Sequence, residues 1–569
     1  FRLGATPLND AEAQWALQAL DLSRGGQPLL GAQPAYVLLT RMCFELFGAT
    51  GFLARLLPAL AGSLLVLLPA LLRPWVGGET RLRWSALVLA FGLAVDPGLV
   101  AISRTAGSLM PALAFGLLAL VLFARRWLIL AGIAAGLALL SGPALLHGTV
   151  ILAVGWGVFR LLEKLRQHQS GESAIDRRSL VELLPLEKPA LRSGLFAFGG
   201  TLLVGGLLFL RVPQGLGALA ATLPEYLGGW ATPGSVPALR LPAALLIYQP
   251  FPLLFALLAT WRGWRGWKAG ERIAHLSVGL SLWALVGLLV VMLYPARQVG
   301  DLAWVLLPLW SLAALELPRY LPSQESRPVR LVAAGLALLL CVLAVVVWLN
   351  LLNIGRYQVN TSLYWVVIGG ALLLGMVSTV MVAAGWSILS ARLGLIQSMC
   401  IILALGMLSG MWGLAYVRPQ SALELWSNPP AAGQPDVLVK SLVDLSRMST
   451  GHDAEIEIVL LDDSPSLRWA LHQFPNLTSA DGLDVTDAPP VVITAQAQQT
   501  PSLAQRYRGQ DLVWRISPAW QTVLPPNIVT WLAFRQAPLS SEQIILWARA
   551  DLFPGGLESL TSEPQSVVP

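Results

Sequence analysis

The stretch Ala5-Thr-Pro-Leu-Asn-Asp10-Ala-Glu12-Ala-Gln-Trp15-Ala-Leu-Gln-Ala-Leu20 decides how this chain is interpreted. It places two carboxylates at the start of a short amphipathic helix, and a spacer rich in Gly and Pro follows it up to Pro34. An apolar segment begins at Phe52 and is long enough to enter a membrane as a helix. The sequence therefore predicts an acidic pair that lies just outside the first visible membrane span.

The composition predicts a polytopic membrane protein. Of 569 residues, 55% are hydrophobic and only 12% are charged, and the mean hydropathy is +0.65. A soluble domain of this size needs more charge to stay solvated. Twelve apolar segments have about the length of a membrane span, roughly 52–72, 83–101, 105–124, 127–142, 148–162, 194–210, 243–260, 274–294, 302–316, 331–351, 363–386 and 396–415.

The basic residues predict which side of the membrane each loop faces. If residues 1–50 lie outside, nearly every cluster of Lys and Arg falls in an inside loop, as the positive-inside rule requires. We then expect a first extracytoplasmic loop (1–50), a transmembrane unit (51–417) with a cytoplasmic linker (163–192), and an extracytoplasmic domain (418–569). With Phe1 outside, one more span is expected upstream, which makes thirteen.

The C-terminal segment is predicted to be a small α/β domain. Residues 418–569 hold 9 basic and 16 acidic residues, whereas the rest of the chain holds 29 basic and 16 acidic ones. The inside loops account for the basic excess, so no nucleic-acid partner is expected. Alternating patterns predict strands at 455–461, 490–495, 511–516 and, more weakly, 530–535, and helices at 464–474, 503–507 and 541–552.

Residues 1–60 resemble the first extracytoplasmic loop and the following helix of the family 39 glycosyltransferases, the protein O-mannosyltransferase-like enzymes of the GT-C fold. The segment EIEIVLLDDSPSLRWALHQFPN (455–476) resembles the tail of their prokaryotic flippase-associated branch, which is linked to N-glycosylation. The resemblance implies a mainly α GT-C fold in a prokaryotic-type cell membrane. It also implies transfer of a sugar from a polyprenyl-phosphate carrier to an extracytoplasmic acceptor.

The resemblance makes Asp10 and Glu12 the candidate catalytic residues. An acceptor hydroxyl must lose its proton as it attacks the anomeric carbon, and a carboxylate beside it can serve as the general base. The family has adjacent Asp and Glu, whereas Ala11 separates the two acids here. The alternative is that Asp10 caps the helix and that Glu12 interacts with the helix dipole in its first turn.

Arg104, Arg297, Tyr294 and Asp96 are the candidate residues for substrate binding. Arg104 lies at the outer end of a span, where it can hold a lipid phosphate or extend to the membrane interface. Arg297 stands in the loop 294–301 beside Tyr294 and is a second candidate phosphate ligand, or else forms an ion pair with Asp301.

Asp96 lies near the outer end of a predicted span, where an isolated carboxylate is costly. The sequence suggests that it pairs with Arg104, or that Asp96-Pro97 breaks the helix. The segment 224–230 suits a lid over a lipid groove or an interfacial anchor, with the anchor preferred. No His, Cys and carboxylate cluster has ligand spacing, so neither a metal nor a cofactor is expected.

The main alternative function is that of a catalytically inactive GT-C protein. Three charged family positions are altered: Ala11 replaces an acid, no acid follows Arg104, and Ser141 replaces a lysine. The fold would then serve as a lipid-binding or scaffolding subunit of a larger membrane complex. The expected partners are a polyprenyl-phosphate-linked sugar or another membrane lipid, and further proteins in such a complex. A transporter is less favoured, because no internal repeat is visible.

Overall fold

Helices dominate the fold. The computed structural model describes residues 3–72, 80–170, 188–208, 210–267, 271–320, 326–357, 361–427, 430–483, 487–496, 505–520 and 522–553. The helices of the membrane part are α1 (Asp10–Ser23), α2 (Pro34–Phe47), α3 (Gly51–Leu72), α4 (Thr80–Val95), α5 (Pro97–Ser103), α6 (Leu109–Ala124), α7 (Leu128–Leu139), α8 (Pro143–Ser170), α9 (Lys188–Gly206), α10 (Gln214–Ala220), α11 (Thr222–Gly228), α12 (Arg240–Tyr248), α13 (Pro250–Trp267), α14 (Arg272–Leu293), α15 (Ala303–Glu316), α16 (Arg327–Tyr357), α17 (Ser362–Gly385) and α18 (Ile388–Trp412).

A helix lies at each of the twelve predicted span positions. Within the described ranges, seven helical stretches are long and apolar enough to cross a membrane, and the count rises to nine if each of two bent pairs is one span. The seven are Gly51–Leu71, Pro143–Arg166, Ile273–Leu293, Val299–Tyr320, Arg327–Arg356, Ser362–Gly385 and Ile388–Val417. The shorter α6 and α7 are also apolar. The chain is therefore a mainly helical, polytopic membrane protein.

Asp96 marks the break between α4 and α5, which bend by 56°. Its Oδ1 accepts a hydrogen bond from the backbone N of Leu99 at 2.8 Å, and Pro97 occupies the first turn of α5. Its Oδ2 accepts from Nε1 of Trp310 at 2.7 Å. The predicted helix break is confirmed. The bonds that hold this carboxylate come from the start of α5 and from α15, rather than from Arg104.

Helix α15 forms the centre of the helical unit. The span that contains it is 83% buried, whereas the other six of the seven are 17–39% buried. Trp304 and Trp310 are fully buried, and each ring lies against a glycine of a neighbouring helix. A Cβ at Gly92 would come within 2.1 Å of the Trp310 ring, and one at Gly148 within 2.2 Å of Trp304. Close approach at these glycines lets α4 and α8 pack on α15.

The C-terminal segment contains a six-stranded sheet with the order β1-β5-β6-β4-β2-β3. Its strands are β1 (Ala431–Ala432), β2 (Ile458–Leu460), β3 (Leu477–Ser479), β4 (Val491–Ala495), β5 (Tyr507–Pro518) and β6 (Leu539–Arg549). Strand β2 is parallel to β3 and β4, and the other pairs are antiparallel. Helices α19 (Pro435–Thr450) and α20 (Pro465–Ala470) pack on the sheet through one apolar core.

Two sequence predictions in this segment are wrong. Residues 541–552 were expected to be helical, but β6 covers most of them, and its buried residues Ile544, Leu546 and Ala548 alternate as a strand requires. Residues 530–535 were expected to form a weak strand, but α21 (Ile528–Phe534) lies there and buries Trp531, whose Nε1 donates to the carbonyl of Leu423. The strands predicted around β2, β4 and β5 are confirmed, and the predicted helix at 464–474 is shorter.

The predicted helix at 503–507 falls partly on residues 501–504, which lie outside the described ranges, and Tyr507 begins β5. The predicted linker 163–192 likewise falls partly outside, at 171–187.

We predict that Gly92→Ala destabilises the protein by about 1–3 kcal/mol, because the added methyl group overpacks the Trp310 ring. The matched control is Gly199→Ala in α9, where nothing lies within 4 Å of the new methyl group. Thermal unfolding of the purified protein in detergent measures both variants. Equal midpoints for the two would contradict the proposed packing.

Candidate active site

Helix α1 begins with a reciprocal cap. The side chain of Asn9 accepts a hydrogen bond from the backbone N of Glu12 at 2.9 Å, and Oε2 of Glu12 accepts from the backbone N of Asn9 at 3.3 Å. This capping box satisfies two of the free N–H groups at the helix start. The alternative prediction that Asp10 caps the helix is therefore wrong, because the cap is the preceding residue, Asn9. Asp10 occupies the first helical position, which leaves its side chain available for other partners.

Glu12 forms a buried, two-pronged ion pair with Arg55 of α3. Oε1 of Glu12 lies 2.9 Å from Nε of Arg55, and Oε2 lies 2.8 Å from Nη2. The two residues are only 2% and 1% exposed. Oε1 also accepts from the backbone N of Ala106, and Oε2 accepts from Nε2 of Gln420. One carboxylate thus joins α1 to α3, to the loop after α5 and to the segment after α18.

Asp10 connects α1 to the C-terminal domain. Its Oδ1 accepts from the backbone N of Ser466 at 3.0 Å and from Oγ of Ser466 at 2.6 Å, and its Oδ2 lies 2.7 Å from Nε of Arg515. Burial alone would raise the pKa of Asp10, but the hydrogen bonds from Ser466 and the guanidinium of Arg515 outweigh it. The pKa therefore lies below its usual value of 3.8, and the carboxylate is ionised at neutral pH.

A cavity of about 700 Å³ opens beside these carboxylates. Its walls come from the start of α1, the loop between α5 and α6, the start of α8, α11, the loop after α14 and the segment after α18. Four of the predicted site residues line it, namely Asp10, Glu12, Arg104 and Tyr294. The structure thus brings together in one cavity most of the residues that the sequence singled out.

Arg297 and Asp96 do not line this cavity. Nε of Arg297 donates to the carbonyl of Met292 at 3.3 Å. The alternative that Arg297 forms an ion pair with Asp301 is not realised either, since Oδ2 of Asp301 accepts from the backbone N of Gln298 at 2.8 Å. Asp96 is fully buried against Trp310. Substrate binding by Arg297 and Asp96 stays a prediction, and neither side chain lines the cavity.

The cavity also holds residues that the sequence did not single out, chiefly His147 and Asp301. The ring of His147 lies 5.0 Å from that of Tyr294 and 6.0 Å from that of Tyr226, centre to centre. The two tyrosine rings stack at 5.5 Å. One signal pointed to His147, which is the only ionisable side chain between residues 143 and 159. The partners of this histidine could not be predicted, because they lie far away along the chain.

The segment 224–230 contributes to the cavity through Tyr226 and Gly229. A Cβ at Gly229 would come within 1.8 Å of the Tyr294 hydroxyl, so only glycine lets this tyrosine approach. Leu227 within the segment and Leu223 directly before it are 57% and 56% exposed. The segment therefore combines a cavity-facing side with an apolar exposed side, which accommodates both the lid and the anchor that the sequence suggested.

No group of three or more His, Cys, Asp or Glu side chains in the described ranges could hold a metal ion.

Comparison with known proteins gives matches among solved structures alone. No protein-family model matches the chain, and no curated protein matches it. The chain is similar to the crystal structure of ArnT from Cupriavidus metallidurans bound to undecaprenyl phosphate, with 15% sequence identity, a TM-score of 0.48, and coverage of 97% of this chain and 96% of that chain. It is also similar to the apo structure of that protein, with 15% identity, a TM-score of 0.46, and coverage of 95% and 94%.

We predict that Arg55→Met destabilises the protein by about 3–5 kcal/mol, since it leaves the carboxylate of Glu12 buried without its cation. The double variant Glu12→Gln/Arg55→Met is expected to lose less than the sum of the two single variants, because the second change removes the uncompensated charge. Thermal unfolding in detergent measures all three. The matched control is Arg447→Met, which breaks an ion pair whose side chains are 57% and 64% exposed, and is expected to leave the unfolding midpoint nearly unchanged because solvent screens the pair. Strict additivity of the two single variants would contradict this role of the pair.

We also predict that Asp10→Asn speeds hydrogen exchange at the backbone amide of Ser466 by about 10-fold or more, because that amide donates to the ionised carboxylate. The amide of Ile456, which donates to Ser446 inside the domain, is the control and keeps its rate. In the unmodified protein the contribution of Asp10 is fully present above its usual pKa of 3.8 and is lost as the pH falls through the lowered pKa. Protection at Ser466 that is insensitive to the substitution would contradict the contact.

Proposed function

We propose that this chain is a membrane glycosyltransferase of the GT-C type, which transfers a sugar from a polyprenyl-phosphate carrier to an extracytoplasmic acceptor. The observation that carries the proposal is the cavity of about 700 Å³, which Asp10, Glu12, Arg104 and Tyr294 line together. Its volume falls within the range that accommodates a small ligand. The carrier class comes from the resemblance of residues 1–60 to the family 39 enzymes, and we propose membership of that family on the same ground.

Arg104 is the proposed ligand of the carrier phosphate. It follows directly after α5, and its half-buried side chain lines the cavity. The guanidinium of Arg55 lies close enough to affect it electrostatically. Since Glu12 is paired with Arg55, its carboxylate does not cancel the charge of Arg104. Guanidinium groups bind phosphate oxygens through charge-assisted hydrogen bonds, which makes this side of the cavity suitable for the leaving phosphate.

Asp10 is the proposed general base. In the reaction, the acceptor oxygen bonds to the anomeric carbon while the bond from that carbon to the phosphate oxygen breaks, with inversion at the carbon. The proton of the acceptor hydroxyl passes to the base, and the carrier leaves as a phosphate monoester. Asp10 lines the cavity and is ionised at neutral pH, as a base must be. For Glu12, the contacts with Arg55, Ala106 and Gln420 support a positioning role.

We further propose the orientation that the basic loops predict. Residues 1–50 and the domain 418–569 then lie outside the cell membrane, and the unit 51–417 spans it. The contact of Asp10 with Ser466 and Arg515 supports this arrangement, since two segments that touch are expected on the same side of a membrane.

The second candidate function is that of an inactive lipid-binding or scaffolding subunit. One observation favours it: both acids of the motif already engage arginines, Asp10 with Arg515 and Glu12 with Arg55. A base that accepts strong hydrogen bonds from a cation is a weaker proton acceptor. Binding of the carrier phosphate at Arg104 would persist in such a protein, and transfer would not.

The full-length purified protein in lipid nanodiscs tests both functions. We predict that it binds undecaprenyl phosphate and that Arg104→Gln weakens this binding by about 10-fold or more, since a charge-assisted contact is lost. The control variant Arg447→Gln, on the exposed surface of the C-terminal domain, leaves the affinity unchanged. Equal affinities for the unmodified protein and Arg104→Gln would contradict the phosphate site.

Transfer of the radiolabelled sugar from its polyprenyl-phosphate carrier to acceptors in an added membrane extract, with release of the polyprenyl phosphate, separates the two candidates. We predict that Asp10→Asn lowers turnover by at least about 100-fold, the usual contribution of a general base, while binding of undecaprenyl phosphate is retained. Unchanged turnover in Asp10→Asn and in Glu12→Gln would remove both carboxylates as bases. Binding without any turnover in the unmodified protein would favour the inactive subunit.

A further inference from the structure

We propose that His147, Tyr226, Tyr294 and Asp301, here called the His147 wall, form the subsite that recognises the sugar of the carrier-linked donor. The ligand class is a pyranose with free hydroxyl groups. This inference rests on the proposed function and deepens it, because the phosphate site at Arg104 does not by itself select a sugar. All four residues line the same cavity as Arg104.

The polar part of the His147 wall is the imidazole of His147, whose nitrogens lack hydrogen-bond partners among the described residues. His147 is 3% exposed, and neither of its ring nitrogens has a hydrogen-bond partner within the described ranges. A buried polar group that lacks a partner is costly, and native proteins rarely keep one without a purpose. A neutral imidazole offers one donor and one acceptor. A hydroxyl group offers the same pair of functions, so sugar hydroxyls are chemically suited to this side chain.

The apolar part of the His147 wall is a pair of tyrosine rings. The rings of Tyr226 and Tyr294 are stacked, and the ring of Trp230 meets that of Tyr294 edge-on at 5.3 Å. The hydroxyl of Tyr294 donates to the backbone carbonyl of Tyr226 at 3.3 Å, which fixes the two rings relative to each other. Rigid aromatic rings present a large apolar area at low entropic cost. The C–H face of a pyranose is the part of a sugar that can pack on such a ring.

Asp301 adds an acceptor beside the histidine. One of its oxygens accepts from the backbone N of Gln298, which orients the carboxylate at the start of the turn that leads into α15. Asp301 and His147 lie close enough to interact electrostatically, yet no hydrogen bond joins them. A carboxylate accepts hydrogen bonds from vicinal hydroxyl groups. Imidazole, carboxylate and aromatic faces together match a hydroxylated ring better than a lipid chain or a phosphate.

The experiment measures how much the sugar adds to the affinity of the carrier. The full chain in nanodiscs is titrated with undecaprenyl phosphate and with the same carrier linked to a hexose, a pentose or an N-acetylhexosamine. The unmodified protein is expected to bind at least one sugar-linked lipid about 10-fold more tightly than the bare carrier, as two or more hydrogen bonds would provide. In His147→Phe this ratio is expected to fall to below about 3-fold, with the affinity for bare undecaprenyl phosphate unchanged within about 2-fold.

Three further variants make the result specific. His147→Gln keeps a donor and an acceptor and is expected to restore part of the sugar contribution. Tyr294→Leu is expected to reduce it, because the ring that packs on the sugar is removed. His452→Phe, in the exposed loop of the C-terminal domain, is the matched control and retains the full ratio. Thermal unfolding midpoints confirm that each variant is folded.

Two outcomes overturn the inference while the proposed function stands. In one, the unmodified protein binds bare undecaprenyl phosphate and no sugar-linked lipid more tightly. In the other, His147→Phe retains the full ratio. If the unmodified protein binds neither the bare nor any sugar-linked carrier, the proposed function itself fails.

Discussion

The bidentate pair of Glu12 and Arg55 is the interaction on which the cavity depends. Both side chains are withdrawn from solvent, so each charge needs the other, and removing either one leaves a buried ion without compensation. The remaining acceptor capacity of Glu12 binds Ala106 and Gln420. Arg55 in turn donates to the carbonyls of Leu3, Thr6 and Pro7. A single ion pair therefore joins residues 3–7 and α1 to α3, to the loop after α5 and to the segment after α18.

The charged residues at the cavity form two groups, those in the ion pair of Glu12 and Arg55 and those outside it. Glu12 lines the cavity and forms an ion pair with Arg55. Arg104 and Asp301 line the same cavity. The aromatic rings of Tyr226 and Tyr294 and the imidazole of His147 line the same cavity. A cavity that is lined by a guanidinium group and by hydrogen-bonding and aromatic side chains is suited to a ligand that carries both a phosphate and a polar ring. The proposed function and the sugar subsite follow from that combination.

The sequence predicted those features that depend on local pattern. Helix lies at each predicted span because a membrane helix needs only a continuous apolar run, although 83–101 and 243–260 each contain two helices that meet at a bend. Residues 541–552 were misassigned because an amphipathic segment of that length fits a helix as well as a strand. Its pairing with β4 and β5 decides the outcome, and those strands are distant in sequence.

The acidic pair was found, but the partners of its carboxylates lie 43 and 505 positions away. The same separation hid the neighbours of His147, which come from α11 and from the loop after α14.

The two carboxylates of the motif also differ in when their contacts can form during biosynthesis. Glu12 can meet Arg55 once 43 further residues have been made, whereas Asp10 can meet Arg515 only after 505. At about 5–20 residues per second, that delay is roughly 25–100 s. Until Arg515 has been made, Asp10 lacks this partner. A nascent chain would therefore form the pair of Glu12 and Arg55 long before the contact that joins α1 to the C-terminal domain.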